Sequence, residues 1–507
     1  MDLFPVGGDP ASVKPLGNPR GLGRAHPLPG SGELESSSGA RTRWVSSVLG
    51  SAVIGANSRS NRWGSSLQPD GCLSNSRLLT LRWAEGKGYD WPAMSEVNLY
   101  PRYAESRLLE ALADSPVVLI HGPRQCGKTT LARGVGEPRG YLYLSFDDDV
   151  ARGAAETDPV GFVGDLPERV ILDEVQRVPA LFAALKTAVD RHRAAGRFIL
   201  TGSANVLLVP KLADSLAGRM EILRLHPLTQ GELARRQPRF LDALFAGAFK
   251  TRPAERLARQ LPERIVAGGY PAALARSTER RRAAWYRNYL ETLVQRDVRD
   301  LARISALDAL PRLLSLAAAQ TARLLNVTDL AAPFQLSRPT IRDYVILLER
   351  VFLLETLPPW HSNRLSRLIK TPKLHLGDTG LACALLGVDA AALAADRALL
   401  GPLLETFVFQ ELRRQASWRD EGIGFFHFRD KDNAEVDLVL ERGARELVGV
   451  EIKAAATVNP SDFRGLRKLR EAAGPRFTAG VVLYDGEMSA PFGDGFWAVP
   501  LRALWEI

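Results

Sequence analysis

VVLIHGPRQCGKTT (117–130) decides how the chain is read. Residues 117–120 form a short continuous apolar run, the pattern of a strand buried on both faces. Gly122, Gly127, Lys128 and Thr129 follow at the spacing GxxxxGK(S/T), between that strand and a helix. Glycines let the backbone curl so that successive N–H groups face an anion, and the opening helix adds its dipole. Lys128 is placed to reach the outer phosphates of a nucleotide, and Thr129 to ligate Mg²⁺. The whole cradle is Gly122, Pro123, Arg124, Gln125, Cys126, Gly127, Lys128, Thr129 and Thr130. A Gly-rich turn opening a helix is the competing reading, and the next motif counts against it.

That motif is RVILDEVQ (169–176), three apolar strand residues ending in Asp173 and Glu174. An acid at a strand tip beside the phosphate loop can hold Mg²⁺, which is the role of Asp173. Glu174 is positioned to orient or deprotonate an attacking water. RFILTGS (197–203) is a further apolar strand ending in Thr201, Gly202 and Ser203. Ser203 is a candidate to sit between the acidic tip and the terminal phosphate. SLAGR (215–219) brings Arg219 just before another strand-like run. It is a candidate charge-neutralising arginine, in cis or from a neighbouring subunit, with an exposed structural arginine as the alternative. YLYLSFDDD (141–149) supplies one more strand. Strands alternating with helices imply a parallel sheet sandwiched by helices.

The order GPRQCGKTT, VILDEVQ, FILTGS, SLAGR resembles the AAA-type ATPases of bacteria and archaea that carry a C-terminal domain of unknown function. The resemblance covers about residues 97–507. It implies ATP binding and hydrolysis, with ATP and Mg²⁺ as ligands, carried by Gly122, Gly127, Lys128, Thr129, Asp173 and Glu174, together with Ser203 and Arg219.

At roughly 100–200 residues per domain, 507 residues allow about three domains. Hydrophobic residues at 46% and charged residues at 24% are ordinary for a globular chain. Cys72, Cys126 and Cys383 are too few and too scattered for a disulfide framework or a cysteine zinc site, and fit a reducing compartment. No apolar run is long enough to cross a membrane, so a cytoplasmic protein is expected. The net charge of +9 permits a DNA or RNA partner without requiring one. The seven histidines lack metal-ligand spacing, and His121 reads as structural. Residues 1–93, rich in Gly, Ser, Pro and Asn, read as a disordered extension, and Met94 as an alternative start of translation.

A phosphate-binding domain is expected at 97–230 and a helical connector at 231–360. In the connector, TERRRAAWYRNYL (278–290) is strongly basic, either a solvated face or a phosphate contact. Within 324–354, Asn326 or Thr328 can cap one helix and Ser337 a second, with Pro339 in its first turn. Extended residues follow, so the segment has helix-turn-helix spacing with a wing. Ser337, Arg338, Thr340 and Arg342 are its candidate DNA contacts, and plain packing is the alternative. Asp378 reads as a helix cap.

The last region, 361–507, begins with the extended segment and turn that hold Asp378, and later carries an amphipathic helix at 400–415 with Glu405 near its start. FFHFRDKDNAEVDLVLE (425–441) and ARELVGVEIKAAA (444–456) then read as a hairpin around Gly443. With period 2, Asp437, Glu451 and Lys453 lie opposite the apolar rows and converge if those rows share a face. Two carboxylates can bind Mg²⁺, and a lysine beside them can position a water. Asp437 followed by Glu451-x-Lys453 resembles the restriction-endonuclease-like superfamily. The resemblance implies Asp437, Glu451 and Glu405 as metal ligands and Lys453 as the catalytic lysine. An exposed ion pair, or a degenerate nuclease fold that binds a protein or nucleic acid without cutting, remain open. Ala454 to Ala456 stand where active members often carry a polar residue. A homo-oligomer or a separate protein partner is compatible with all of this.

Overall fold

The computed structural model describes residues 99–203, 216–295, 309–334, 336–363, 367, 370–419 and 421–507. The readings of residues 1–93 and of Met94, and the part of the basic connector beyond 295 up to 308, lie outside the described residues.

Helix α1 (Ala104–Asp114) leads into strand β1 (Val117–His121), and the phosphate loop joins β1 to α2 (Lys128–Gly136). The chain continues through β2 (Leu142–Ser145), α3 (Asp149–Thr157), α4 (Pro159–Gly164), β3 (Val170–Asp173), α5 (Leu181–Arg191), β4 (Phe198–Gly202) and β5 (Met220–Arg224). The sheet order is β2-β3-β4-β1-β5, and every neighbouring pair is parallel. Side-chain period 2 divides the strands between two cores. Val117, Leu119, Leu172 and Leu200 pack with Leu181 and Leu185 of α5. Val118, Ile120, Ile171 and Ile199 pack with Leu108 of α1 and Leu131 of α2. The expected helix-sandwiched parallel sheet is therefore present, and the ends of β1, β3 and β4 meet along one edge.

Beyond β5 come α6 (Phe240–Ala246), β6 (Arg252–Pro253), α7 (Gln260–Ala267), α8 (Glu279–Leu293), α9 (Ala309–Ala319) and β7 (Arg323–Leu324). They are followed by α10 (Val327–Ala331), α11 (Arg338–Arg350), β8 (Leu354–Leu357), β9 (Lys373–Leu376) and α12 (Thr379–Leu386). Asn326 accepts from the Thr328 N–H, and Ser337 accepts from the Thr340 N–H, so both expected caps form. Ile341, Val345 and Leu348 are buried. β7, β9 and β8 form an antiparallel sheet with β9 in the middle. The division expected at residue 360 falls between β8 and β9, two strands paired along their whole length.

The last part comprises α13 (Arg397–Ala416), β10 (Ile423–Arg429), β11 (Glu435–Arg442), β12 (Glu446–Lys453), α14 (Arg464–Ala473), β13 (Phe477–Tyr484), β14 (Met488–Pro491), β15 (Phe496–Pro500) and α15 (Ala503–Glu506). A mixed sheet runs β10-β11-β12-β13-β15-β14-β6, its final strand lent by the connector. β10 to β12 are antiparallel, and β12 pairs with β13 in parallel after the α14 crossover. One continuous apolar core extends from Phe240 to Trp505, so connector and final sheet are packed as one body.

Helix α13 departs from the expected amphipathic pattern. Twelve of its twenty residues are buried, among them Gln410, Glu411, Arg414 and Gln415. It lies between the two sheets, and its polar residues serve as ties. Gln230 N–H donates to Glu411 at 2.9 Å, and Arg414 donates to the Leu228 carbonyl at 2.9 Å and to Asp378 at 3.0 Å. Asp378 caps α12 as expected, and also accepts from Gly269 N–H at 2.8 Å and the Tyr286 hydroxyl at 3.1 Å. Removing one member of such a buried pair strands the other charge in low dielectric. Arg414→Leu should cost about 3–5 kcal/mol, read as a lowered urea midpoint. A loss below about 1 kcal/mol would mean that the pair behaves like an exposed one.

Candidate functional site

The phosphate loop is shaped by close approach. A Cβ on Gly122 would fall 2.0 Å from the Leu225 carbonyl oxygen, so only glycine lets the loop run this near β5's exit. Gly127, at φ +101, turns the chain into α2. Arg102 braces the loop from outside, donating to the Cys126 carbonyl and the His226 carbonyl at 2.6 Å each while pairing with Glu232 at 3.0 Å. Lys128 is buried inside the curl and donates to the Gly122 and Pro123 carbonyls at 3.1 and 2.9 Å. A glycine-turned loop closed around a buried ammonium is a cradle that fits the phosphates of a nucleotide.

The acidic tip is brought to it. Thr129 donates to Asp173 at 2.9 Å, and Thr201 donates to the same carboxylate oxygen. Tyr143 donates to the other oxygen at 2.9 Å. Thr129 and Asp173 are the residues able to hold Mg²⁺ here. Glu174 lies in the left-handed region at φ 58, its N–H donating to Thr201 at 3.2 Å. A non-glycine residue at that φ is strained, and the surrounding bonds hold it. Its carboxylate accepts from Ser203 at 2.9 Å and from Gln176. Burial pushes the Glu174 carboxyl up. The Lys128 charge and the hydrogen bonds from Gln176 and Ser203 outweigh that, and the net position is below the ordinary carboxylate range. An ionised acceptor is what orienting a water requires.

The cleft has a volume of about 580 Å³ and a wall that belongs to α8. Trp285 and Tyr289 line it, stacked at 5.1 Å with 13° between their planes. Tyr289 also donates to the Arg124 carbonyl at 3.3 Å. Sequence reading missed both aromatics, because the arginines of the same segment drew attention. The signal was present in their i, i+4 spacing. It also missed Tyr143 and Gln176, which no motif marks. His121, read as structural, is buried beside Phe352, and burial, helped by Arg224 and Lys128, pushes its pKa down to about 4.

Arg219 is not brought to this cleft. It precedes Met220, which pairs with Val117 at the start of β1, whereas the phosphate loop follows the end of that strand. Five residues of strand separate the two by about 15 Å. Arg219 pairs instead with Asp190 at 2.5 Å. A role in cis is therefore excluded by placement.

The C-terminal candidates do converge. Leu438 faces Val450, which sets Asp437 beside Glu451 at the same end of the hairpin. Asp437 accepts from the Ile452 N–H at 2.9 Å, and Lys453 pairs with Glu451 at 2.7 Å. Glu405 joins them from α13 through a residue that sequence reading missed. Lys373 of β9 pairs with Glu405 at 2.8 Å, Glu435 at 2.7 Å and Asp437 at 3.4 Å. Burial, then the Asp437 charge, pushes both Glu405 and Glu451 above the usual carboxylate range. The clue was KLHL (373–376), in which Lys373 and His375 share one face of a strand, and a polar face in a buried strand must meet partners.

Comparison with known protein families matches three stretches of the chain. Residues 114–234 match the family described as AAA domain, residues 258–392 a domain of unknown function (DUF8612), and residues 400–504 a domain of unknown function (DUF4143). Among solved structures, the Walker-type ATPase PABY2304 of Pyrococcus abyssi is similar at 14% identity, covering 57% of this chain and 96% of that one, with a TM-score of 0.37. The RuvB Holliday junction branch migration motor of Thermotoga maritima is similar at 19% identity, covering 50% and 89%, with a TM-score of 0.26. Overlaps that loose do not bear on function. No helix among the described residues is long and apolar enough to cross a membrane. The uncharacterized protein Rv2008c of Mycobacterium tuberculosis and Mb2031c of Mycobacterium bovis are each 31% identical over 400 residues, 79% of this chain and 83% of theirs. The chain belongs to the family of these two proteins, and its residues 114–234 are an AAA-type ATP-binding domain.

Proposed function

We propose that the protein hydrolyses ATP with Mg²⁺ and uses the nucleotide state to reset its helical region and C-terminal sheet on a nucleic-acid target. The observation that carries the first half is one unbroken hydrogen-bonded chain beside Lys128, running Thr129, Asp173, Thr201, Glu174, Ser203. Mg²⁺ held by Thr129 and Asp173 would screen phosphate charge. The loop N–H groups and Lys128 bind the phosphates and steady the charge that develops on them. Glu174, kept ionised and aimed by Ser203 and Gln176, orients the attacking water and takes its proton. Trp285 and Tyr289 offer the base a flat aromatic surface.

The coupling half rests on α8. One helix lines the nucleotide cleft, touches the loop through Tyr289, and reaches Asp378 through Tyr286. A change at the phosphates therefore bears on the ties that hold α12 and α13. The nucleic-acid half rests on α10, the turn and α11, followed by the β8–β9 pair. That order supports a winged-helix reading, with Ser337, Arg338 and Arg342 exposed at the head of α11 and Thr340 half-buried among them. Arg219 would serve a neighbouring subunit's nucleotide if the chain assembles. A second reading, in which the C-terminal domain is a binding module that does not cut, is favoured by the engagement of Glu405 and Asp437 with Lys373.

Lys128→Ala should weaken ATP binding severely. Glu174→Gln should keep binding while turnover falls by about 100-fold or more, on the order expected for a lost general base. Steady-state ATPase assays with and without single- and double-stranded DNA test both halves: unchanged turnover in Glu174→Gln removes the assigned role. DNA-stimulated turnover lost in Arg338→Ala/Arg342→Ala supports the nucleic-acid target, and indifference to DNA points to a protein target.

Trp285→Ala should weaken ATP by about tenfold, a base-stacking contribution of about 1–3 kcal/mol, while leaving inorganic triphosphate binding unchanged. Equal loss for both ligands, measured by calorimetry, would make Trp285 a scaffold residue.

A further inference from the structure

Lys373 occupies the first position of β9, the central strand of its sheet, paired with Leu324 on one side and Leu357 on the other. Its side chain is 4% exposed. An ammonium has three donors, and each here finds a carboxylate: Glu405 from α13 at 2.8 Å, Glu435 at 2.7 Å and Asp437 at 3.4 Å from β11. A divalent ion bound to the D…ExK set would need those same Glu405 and Asp437 oxygens, and would lie against a like charge. Two further oxygens of the set are also engaged. Asp437 accepts from Ile452 N–H with its other oxygen, and Glu451 accepts from Lys453. The other Glu451 oxygen is buried without a hydrogen-bond partner. Among the described residues no group of three or more His, Cys, Asp or Glu is arranged to hold a metal. The residues present do not fit a divalent ion.

We propose that Lys373 is the resident cation of the C-terminal acid site, standing where a metal-dependent nuclease fold would bind its divalent ion. The proposal rests on the nuclease-like reading of that fold, and the ATPase reading does not depend on it. Lys373 arrives from outside the hairpin, on a strand laddered on both edges, so its position is set by backbone pairing rather than by a swinging loop. The site keeps the carboxylate geometry and satisfies it internally. The domain then serves by binding, with metal-dependent cleavage surrendered.

Manganese titration of the nucleotide-free full chain, followed by the electron paramagnetic resonance of free Mn²⁺, tests this. The wild type and Asp437→Asn should bind the same number of ions. Lys373→Met frees three carboxylates and should gain one Mn²⁺ site that Lys373→Met/Asp437→Asn loses. Mn²⁺ should raise the melting temperature of Lys373→Met by more than that of the wild type. A wild-type ion that disappears in Asp437→Asn overturns the proposal, and so does a folded Lys373→Met that binds none. If Lys373→Met does not fold, the comparison of wild type with Asp437→Asn still decides. ATP turnover of the same wild-type preparation reports separately on the ATPase reading.

Discussion

The guanidinium of Arg414 holds the architecture together. It donates to the Leu228 carbonyl just past the ATP-binding sheet, to the Gly377 carbonyl after β9, and to the Asp378 carboxylate that caps α12. Two chain segments far apart in sequence, Leu228 and the adjacent pair Gly377 and Asp378, thus share one buried charge on α13. Desolvating an arginine is costly, and only a partner as well satisfied as Asp378, with its bonds from Gly269, Gly380 and Tyr286, makes the burial tolerable. A second network repeats the logic nearby. Glu355 of β8 is paired with Arg224 of β5 and Arg413 of α13, and accepts from Gln410. Helix α13 is buried nearly all round because it carries the ties for both sheets.

This explains what was legible in the sequence and what was not. The parallel sheet could be read because four of its five strands are local signals, apolar runs ending in a glycine loop or an acid, with β5 as the exception. Asp173, Glu174 and Ser203 came with those strands, since each lies at or just past a strand end, and Thr129 came with the glycine motif after β1. Domain limits were harder, because the ties that fuse connector and final sheet are single residues, Gln230 to Glu411 and Arg414 to Leu228, with no periodicity to announce them. The strand β6 is two residues long and gains its meaning only from pairing with β14. Helix α13 looked amphipathic because Gln, Glu and Arg normally mark a wet face. Here they mark a polar seam between two packed bodies.

The two acid sites show why motif and function separate. Both place carboxylates at strand positions beside a lysine. At the ATP-binding sheet, Asp173 accepts from three neutral hydroxyls, those of Thr129, Thr201 and Tyr143. Hydroxyls donate weakly and can rotate to offer oxygen lone pairs, so a cation can enter between Thr129 and Asp173 with little rearrangement. Lys128 is bonded to backbone carbonyls rather than to the acids, which leaves their charge available.

In the C-terminal sheet the lysine is bonded to the acids themselves. A fixed ammonium in a low-dielectric site is already the strongest neutraliser these carboxylates can have short of a multivalent ion. A divalent ion would have to displace it, and the freed ammonium would give up all three carboxylate partners. The cost of moving Lys373 is therefore the cost of leaving a buried charge unpaired, several kcal/mol in typical proteins. One pattern of acids thus yields a site open to a metal where the donors are hydroxyls, and a closed one where the donor is a buried lysine.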